Sequence, residues 1–98
     1  MSFVQIIQFE TTRIDEIRKL DEEWYAKTAG RRTVRRELLT RDRANPDRYT
    51  AIVEFDSYEE AMRNSELPET TEIAKAYQAL CDGTVTFIDL DVIDSRTT

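Results

Sequence analysis

Phe55–Thr70 reads FDSYEEAMRNSELPET, a helix that begins well and is then interrupted. Ser57 with Glu60 three residues later is the pattern of a capping box, in which the hydroxyl accepts from a backbone N–H and the carboxylate reaches back. Tyr58, Ala61 and Met62 follow at helical spacing. Leu67 precedes Pro68, and the residue before a proline is biased away from helical dihedrals. Pro68 itself suits the first turn of a new helix, where its missing N–H costs nothing. Ile73, Ala74, Tyr77, Leu80 and Cys81 make the next apolar stripe, which Gly83 closes. The spacing predicts one helical segment split at Leu67–Pro68, with Thr70 and Thr71 or Asn64 acting as caps.

Strand-like runs flank this segment. RYTAIVEFD leads into it, with Tyr49, Ala51, Val53 and Phe55 on one face. Before that, RRTVRRELLTRDR alternates imperfectly and is rich in arginine, which suits an edge strand. Val34, Arg36 and Leu38 fall on one of its faces and Arg35, Glu37, Leu39 and Arg41 on the other. Asn45-Pro46-Asp47 turns one run into the other. Near the start, SFVQIIQFE is a strand from Phe3 to Glu10. A helix follows, capped by Thr11 or Thr12, with Ile14, Ile17, Leu20 and Trp24 on one stripe and Gly30 as its stop. After Gly83, TVTFIDLDVID is the last strand, with Ile88, Leu90 and Val92 on one face and Val85, Phe87, Asp89, Asp91 and Ile93 on the other. The order β-α-β-β-α-β is the ferredoxin-like α+β pattern with an antiparallel four-stranded sheet. Residues 1–94 are expected to form that single domain and 95–98 a tail.

Composition narrows the chemistry. The 98 residues carry a formal net charge of −6, which disfavours binding to a phosphate backbone. No apolar run approaches the length of a membrane span, and the first ten residues lack the marks of a signal peptide. The lone cysteine, Cys81, cannot form an intrachain disulfide, and a cytoplasmic setting fits. Cys81 reads as a small buried hydrophobe, its thiol pushed up by Asp82. There is no histidine at all. That removes Ser-His-Asp and Cys-His catalysis and histidine metal or haem ligation. Any chemistry falls to carboxylates, Tyr, Asn, Arg, Lys or backbone dipoles.

Two helical segments cover only one face of such a sheet, and here both faces are apolar. In the first strand Phe3, Ile7 and Phe9 oppose Val4 and Ile6; in the last, Val85, Phe87 and Ile93 oppose Ile88, Leu90 and Val92. Leaving one set in water forfeits about 1.5–3 kcal/mol per large side chain. A second copy packed sheet against sheet is the expected remedy.

The chain resembles the dimeric α+β barrel superfamily, and within it the antibiotic biosynthesis monooxygenase-like proteins. The carriers are YTAIVEFDSYEEAMRNSELPET, from Tyr49 to Thr70, and GTVTFIDLDVI, from Gly83 to Ile93. The resemblance implies two ferredoxin-like subunits joined through their sheets, each with a cleft between sheet and helices. Some members oxidise polycyclic aromatics without metal or flavin. Others degrade haem through an axial histidine, which this chain lacks. The cofactor-free oxygenases place Asn, Trp and Tyr around an aromatic substrate, and this chain offers Asn64, Trp24, Tyr25 and Tyr77. No position-by-position match assigns them a catalytic role.

The candidate cleft is therefore Trp24, Tyr25, Asn64, Thr70 and Tyr77, with core packing or helix capping as the plainer reading of each. No cofactor and no metal is expected. Asp89 and Asp91 share a face of the last strand, but two acids make a weak metal site. Salt bridges to Arg35, Arg36 or Arg41, within or across subunits, are the better expectation for them. Two functions remain open: a cofactor-independent oxygenase acting on a small aromatic or hydrophobic substrate, and a non-catalytic ligand-binding or accessory module of the same fold.

Overall fold

The structure, a computed structural model, describes residues 2–98. Its elements run β1 (Phe3–Glu10), α1 (Ile14–Lys27), β2 (Val34–Arg41), β3 (Arg48–Phe55), α2 (Tyr58–Glu66), α3 (Pro68–Leu80) and β4 (Asp82–Asp91). The strands form one antiparallel sheet in the order β2-β3-β1-β4. This is the ferredoxin-like α+β arrangement, its second helical segment in two pieces.

The break falls where the proline places it. Ser57 caps α2 by accepting from the Glu60 N–H at 3.1 Å. Only half of the capping box forms, because the Glu60 carboxylate pairs with Arg63 at 2.7 Å instead of reaching back. At Leu67 ψ swings to 131°, and Pro68 opens α3. The N–H groups of Thr70 and Thr71 return to Leu67 O, and no side chain caps α3. The two threonines and Asn64 are thus released from capping.

Other junctions differ from expectation in informative ways. Arg13, not Thr11 or Thr12, holds the N-cap position of α1, with no side-chain bond. Thr11 is fully buried; its hydroxyl accepts from Arg13 N at 2.9 Å and donates to Leu80 O at 2.7 Å. It ties the start of α1 to the end of α3. Gly83, read as a helix stop, sits inside β4 with φ +78°, where the β1–β4 register slips between Gln8 and Glu10. Its left-handed backbone serves a bulge, a conformation that L side chains resist. β4 ends at Asp91 because its partner β1 begins at Phe3, the residue opposite.

A second bulge changes the facing of β2. Val34 pairs with Phe55 and Arg36 with Glu54, so one residue is extra. Beyond it Glu37, Leu39 and Arg41 lie opposite Val53, Ala51 and Tyr49. Val34 therefore shares the helix-covered face with Glu37 and Leu39, rather than the face of Arg36 and Leu38 that strict alternation predicts.

The helix-covered face carries the core. One cluster gathers Phe3, Ala51, Val53, Phe55 and Ala61, joined by Val34 and Met62. The other gathers Phe9, Ile17 and Tyr49, joined by Ile14, Tyr77, Leu80, Cys81 and Val85. Ile7 touches both. Burial and the Asp82 charge raise the Cys81 thiol, which packs as a hydrophobe.

On the opposite face, Leu38, Ile52, Ile6 and Ile88 stand in register across all four strands, with Val4 beside Leu90. Leu38, Ile88 and Leu90 are each about two-fifths exposed on the single chain, at 41%, 40% and 45%. No described helix is long and apolar enough to cross a membrane.

Candidate functional site

Between the two core clusters the helices stand off the sheet and leave a cavity of about 510 Å³. Its floor is the covered face of the sheet: Gln5, Ile7 and Phe9 of β1, Ala51, Val53 and Phe55 of β3, Val34 and Glu37 of β2, Val85 and Phe87 of β4. Its roof is the inner side of the helices. α1 contributes Asp21 and Trp24, the end of α2 contributes Asn64 and Ser65, and α3 contributes Thr70, Thr71, Ile73, Tyr77 and their neighbours. The proline break opens this space, since an unbroken helix could not turn away from α2's line at Leu67.

Of the five residues singled out from sequence, four line this cavity: Trp24, Asn64, Thr70 and Tyr77. Each is held by a partner. Trp24 Nε1 donates to Thr70 Oγ1 at 3.0 Å, joining α1 to α3. Asn64 is buried, and its Oδ1 accepts from Thr33 N at 3.2 Å, which directs its amide nitrogen away from that loop. Tyr77 donates its hydroxyl proton to Asp21 Oδ1 at 2.5 Å.

Tyr25 lies elsewhere. Its ring meets Trp24 edge-on at 5.1 Å, the Arg32 guanidinium sits 4.6 Å over it, and its hydroxyl donates to Glu37 Oε2 at 2.7 Å. A separate surface cleft, lined by Arg18, Asp21, Glu22, Tyr25, Glu37 and Leu39, runs behind this pair. Asp21 and Glu37 belong to both spaces and form the partition between them.

These two acids are the residues that sequence reading missed, and Asp21 is electrostatically the most perturbed carboxylate. Burial raises its pKa from an ordinary 3.8 to about 6; the hydrogen bond from Tyr77 lowers it, and the nearby Glu37 charge raises it. Tyr77 is pushed well above the usual phenol range by burial and then by the Asp21 charge. Burial and the bond to Glu37 do the same to Tyr25. Neither phenol ionises near neutrality, so both act as fixed donors. Asp21 is ionised at pH 7, yet basic enough to hold a proton briefly, the poise a general base needs.

The arginines are engaged away from the cavity. Arg31 pairs with Glu69, Arg35 with Asp56 and Arg36 with Glu54. Arg41 donates to Tyr49 Oη. Within the chain the hairpin arginines do not pair with Asp89 and Asp91, because β2 and β4 are opposite edges of the sheet. Asp89 instead accepts from Gln5 Nε2 at 3.1 Å. No group of three or more acidic or cysteine side chains gathers with metal-site geometry among the described residues.

No protein-family model matches this sequence, and no curated protein sequence matches it either. Solved structures do. The fold is that of SnoaB, a cofactor-independent oxygenase from Streptomyces nogalater, at 18% identity over 96% of this chain and 95% of that one, with a TM-score of 0.79. It is also that of Rv0793 from Mycobacterium tuberculosis, at 13% identity over 99% and 100%, TM-score 0.80. A third structure described as an antibiotic biosynthesis monooxygenase aligns at 19% identity over 96% and 100%, TM-score 0.74. The neighbours are thus the kind of protein that the Tyr49–Thr70 and Gly83–Ile93 segments resemble, and at these identities they establish the shared fold.

Proposed function

We propose that this protein is a cofactor-independent oxygenase acting on a small aromatic substrate with an acidic hydrogen, and that Asp21 is its general base. One observation carries the reading: a carboxylate with its pKa raised to about 6, oriented by Tyr77, in the wall of a largely apolar cavity. The fold shared with a cofactor-independent oxygenase supports it.

The chemistry balances without a redox group on the chain. Asp21 takes a proton from an activated ring CH2, and the substrate carbanion passes its electrons to dioxygen, forming a C–O bond. The proton returns to the distal oxygen of the peroxide. Loss of water with the second hydrogen leaves a carbonyl, so CH2 and O2 become C=O and H2O. Tyr77 holds Asp21 in place. The Asn64 amide donates to the oxyanion of the deprotonated substrate, Trp24 and Thr70 shape the wall, and Tyr25 positions Glu37. Apolar walls strengthen each of these interactions by excluding water.

The same reading includes a homodimer joined through the bare face of the sheet. Its support is the unbroken row Leu38–Ile52–Ile6–Ile88, too large and too regular to be scattered surface hydrophobes.

Oxygen uptake with anthrone tests the activity. Turnover that falls at least a hundredfold in Asp21→Asn supports it; equal turnover in that variant overturns the assignment of the base. One observation favours a non-catalytic binding module: Trp24 Nε1 and Asn64 Oδ1 already serve Thr70 and Thr33. Saturable anthrone binding with no oxygen uptake decides for it.

A further inference from the structure

The cavity is charged at its two ends in opposite senses. Among the charged side chains that line it, Asp21 and Glu37 are acidic and Lys75 is basic. Glu37 belongs to β2 and Phe87 to β4, the two edges of the sheet. Three strand spacings separate them, about 14 Å. Lys75 stands toward the β4 end. It shares the stripe Thr71, Ala74, Lys75 and Gln78 of α3, and Gln78 Nε2 donates to Gly83 O of β4 at 2.9 Å. That stripe is exposed, as is Phe87, which is 57% accessible although it lines the cavity. Lys75 forms no ion pair among the described residues, while six other cations do.

We infer that the site selects an aromatic substrate bearing a carboxylate remote from its reacting carbon, with Lys75 as the specificity-determining residue. The inference rests on the proposed use of the cavity as a substrate site. A ligand anion placed at the Asp21 and Glu37 end meets two like charges; placed at the β4 end, it meets one ammonium. The charge pattern therefore orients the ligand, carrying its acidic hydrogen inward to Asp21 and laying its outer ring by Phe87. On a chain of net charge −6, an anionic ligand needs such a local cation.

Binding of anthraquinone-2-carboxylate and of its uncharged 2-carboxamide, read by quenching of Trp24, tests this without turnover. Trp24 is the chain's one tryptophan and lines the cavity. The native protein should bind the carboxylate about threefold more tightly, the scale of one solvent-screened ion pair. Lys75→Glu should reverse that preference, Lys75→Arg should keep it, and carboxamide affinity should hold within about twofold throughout as the check on folding. Equal binding of the two ligands by the native protein, a preference that survives Lys75→Glu, or no quenching by either would overturn the inference. Failure of oxygen uptake alone would strike the oxygenase reading and leave this binding result standing.

Discussion

The sheet has two faces of nearly equal greasiness and opposite fates. On one, Phe3, Phe9, Tyr49, Ala51, Val53 and Phe55 are buried under three helices, and the imperfect cover leaves a cavity. On the other, Leu38, Ile88 and Leu90 have nothing above them in the single chain. The difference is one of shape rather than hydrophobicity. A helix with a proline break lies unevenly over a sheet and makes room for a ligand, whereas a flat register of aliphatic side chains fits another flat register. The space over the covered face also gathers the polar exceptions, half-buried Asp21 and Glu37 and buried Asn64, and polar groups drawn out of water mark chemistry more reliably than apolar ones.

The largest expected effect lies on the covered face. Asp21→Asn should lower oxygen uptake by about a hundredfold to ten-thousandfold, the usual share of a general base. The same change should stabilise the fold at pH 8. A carboxyl whose folded pKa is about 6 rather than 3.8 binds its proton more tightly when folded. Stability therefore falls as pH rises from about 4 to 6, and the deficit is complete above that window. Removing the charge should recover about 1–2 kcal/mol after allowance for solvent screening, seen as a higher Tm at pH 8 and little gain at pH 4.

Next comes the bare face. Ile88→Lys should turn the proposed dimer into single chains by sedimentation at micromolar concentration, because that dimer would bury an unpaired ammonium in its joint. A mass unchanged by the substitution, or a native protein already sedimenting as one chain, would break the comparison.

Two smaller effects sharpen it. Thr70→Val leaves the Trp24 indole N–H without its acceptor and should cost about 1–3 kcal/mol in denaturant melts. Tyr77→Phe removes the hydrogen bond that lowers the Asp21 pKa, so the acidic limb of the rate profile should move to higher pH from about 6. The smallest change is on the bare face: Arg36→Ala breaks a 3.9 Å exposed pair with Glu54 and should shift stability by less than about 1 kcal/mol.

Much of the fold was legible because its signals are local. Ser57, the Leu67–Pro68 pair and the alternation of β1 and β3 each act within a few residues, and the structure follows them. The two bulges were not legible. An extra residue at Arg35 and the slip at Gly83 are settled by pairing with distant strands, which no window of the chain contains. The site was half readable. Trp24 and Tyr77 stand out as aromatics on apolar stripes, and Asn64 and Thr70 as neighbours of the proline. Asp21 left a signal that went unread, since it falls between Ile17 and Trp24 at i+4 and i+7, squarely on the inward side of α1. Glu37 left none, because its facing depends on the bulge before it.

That bulge makes β2 sensitive to its reading frame. Deleting the single residue Arg35 would take out the extra residue and leave Val34, Glu37 and Leu39 on the covered face, with Arg36 and Leu38 outside as before. Straightening the strand with Arg35 kept would do the opposite: holding Val34 inward would turn Glu37 and Leu39 to the outside and bring Arg36 and Leu38 in. One residue of slack thus decides whether an acid stands in the cavity wall and an aliphatic in the bare row, with every other strand untouched.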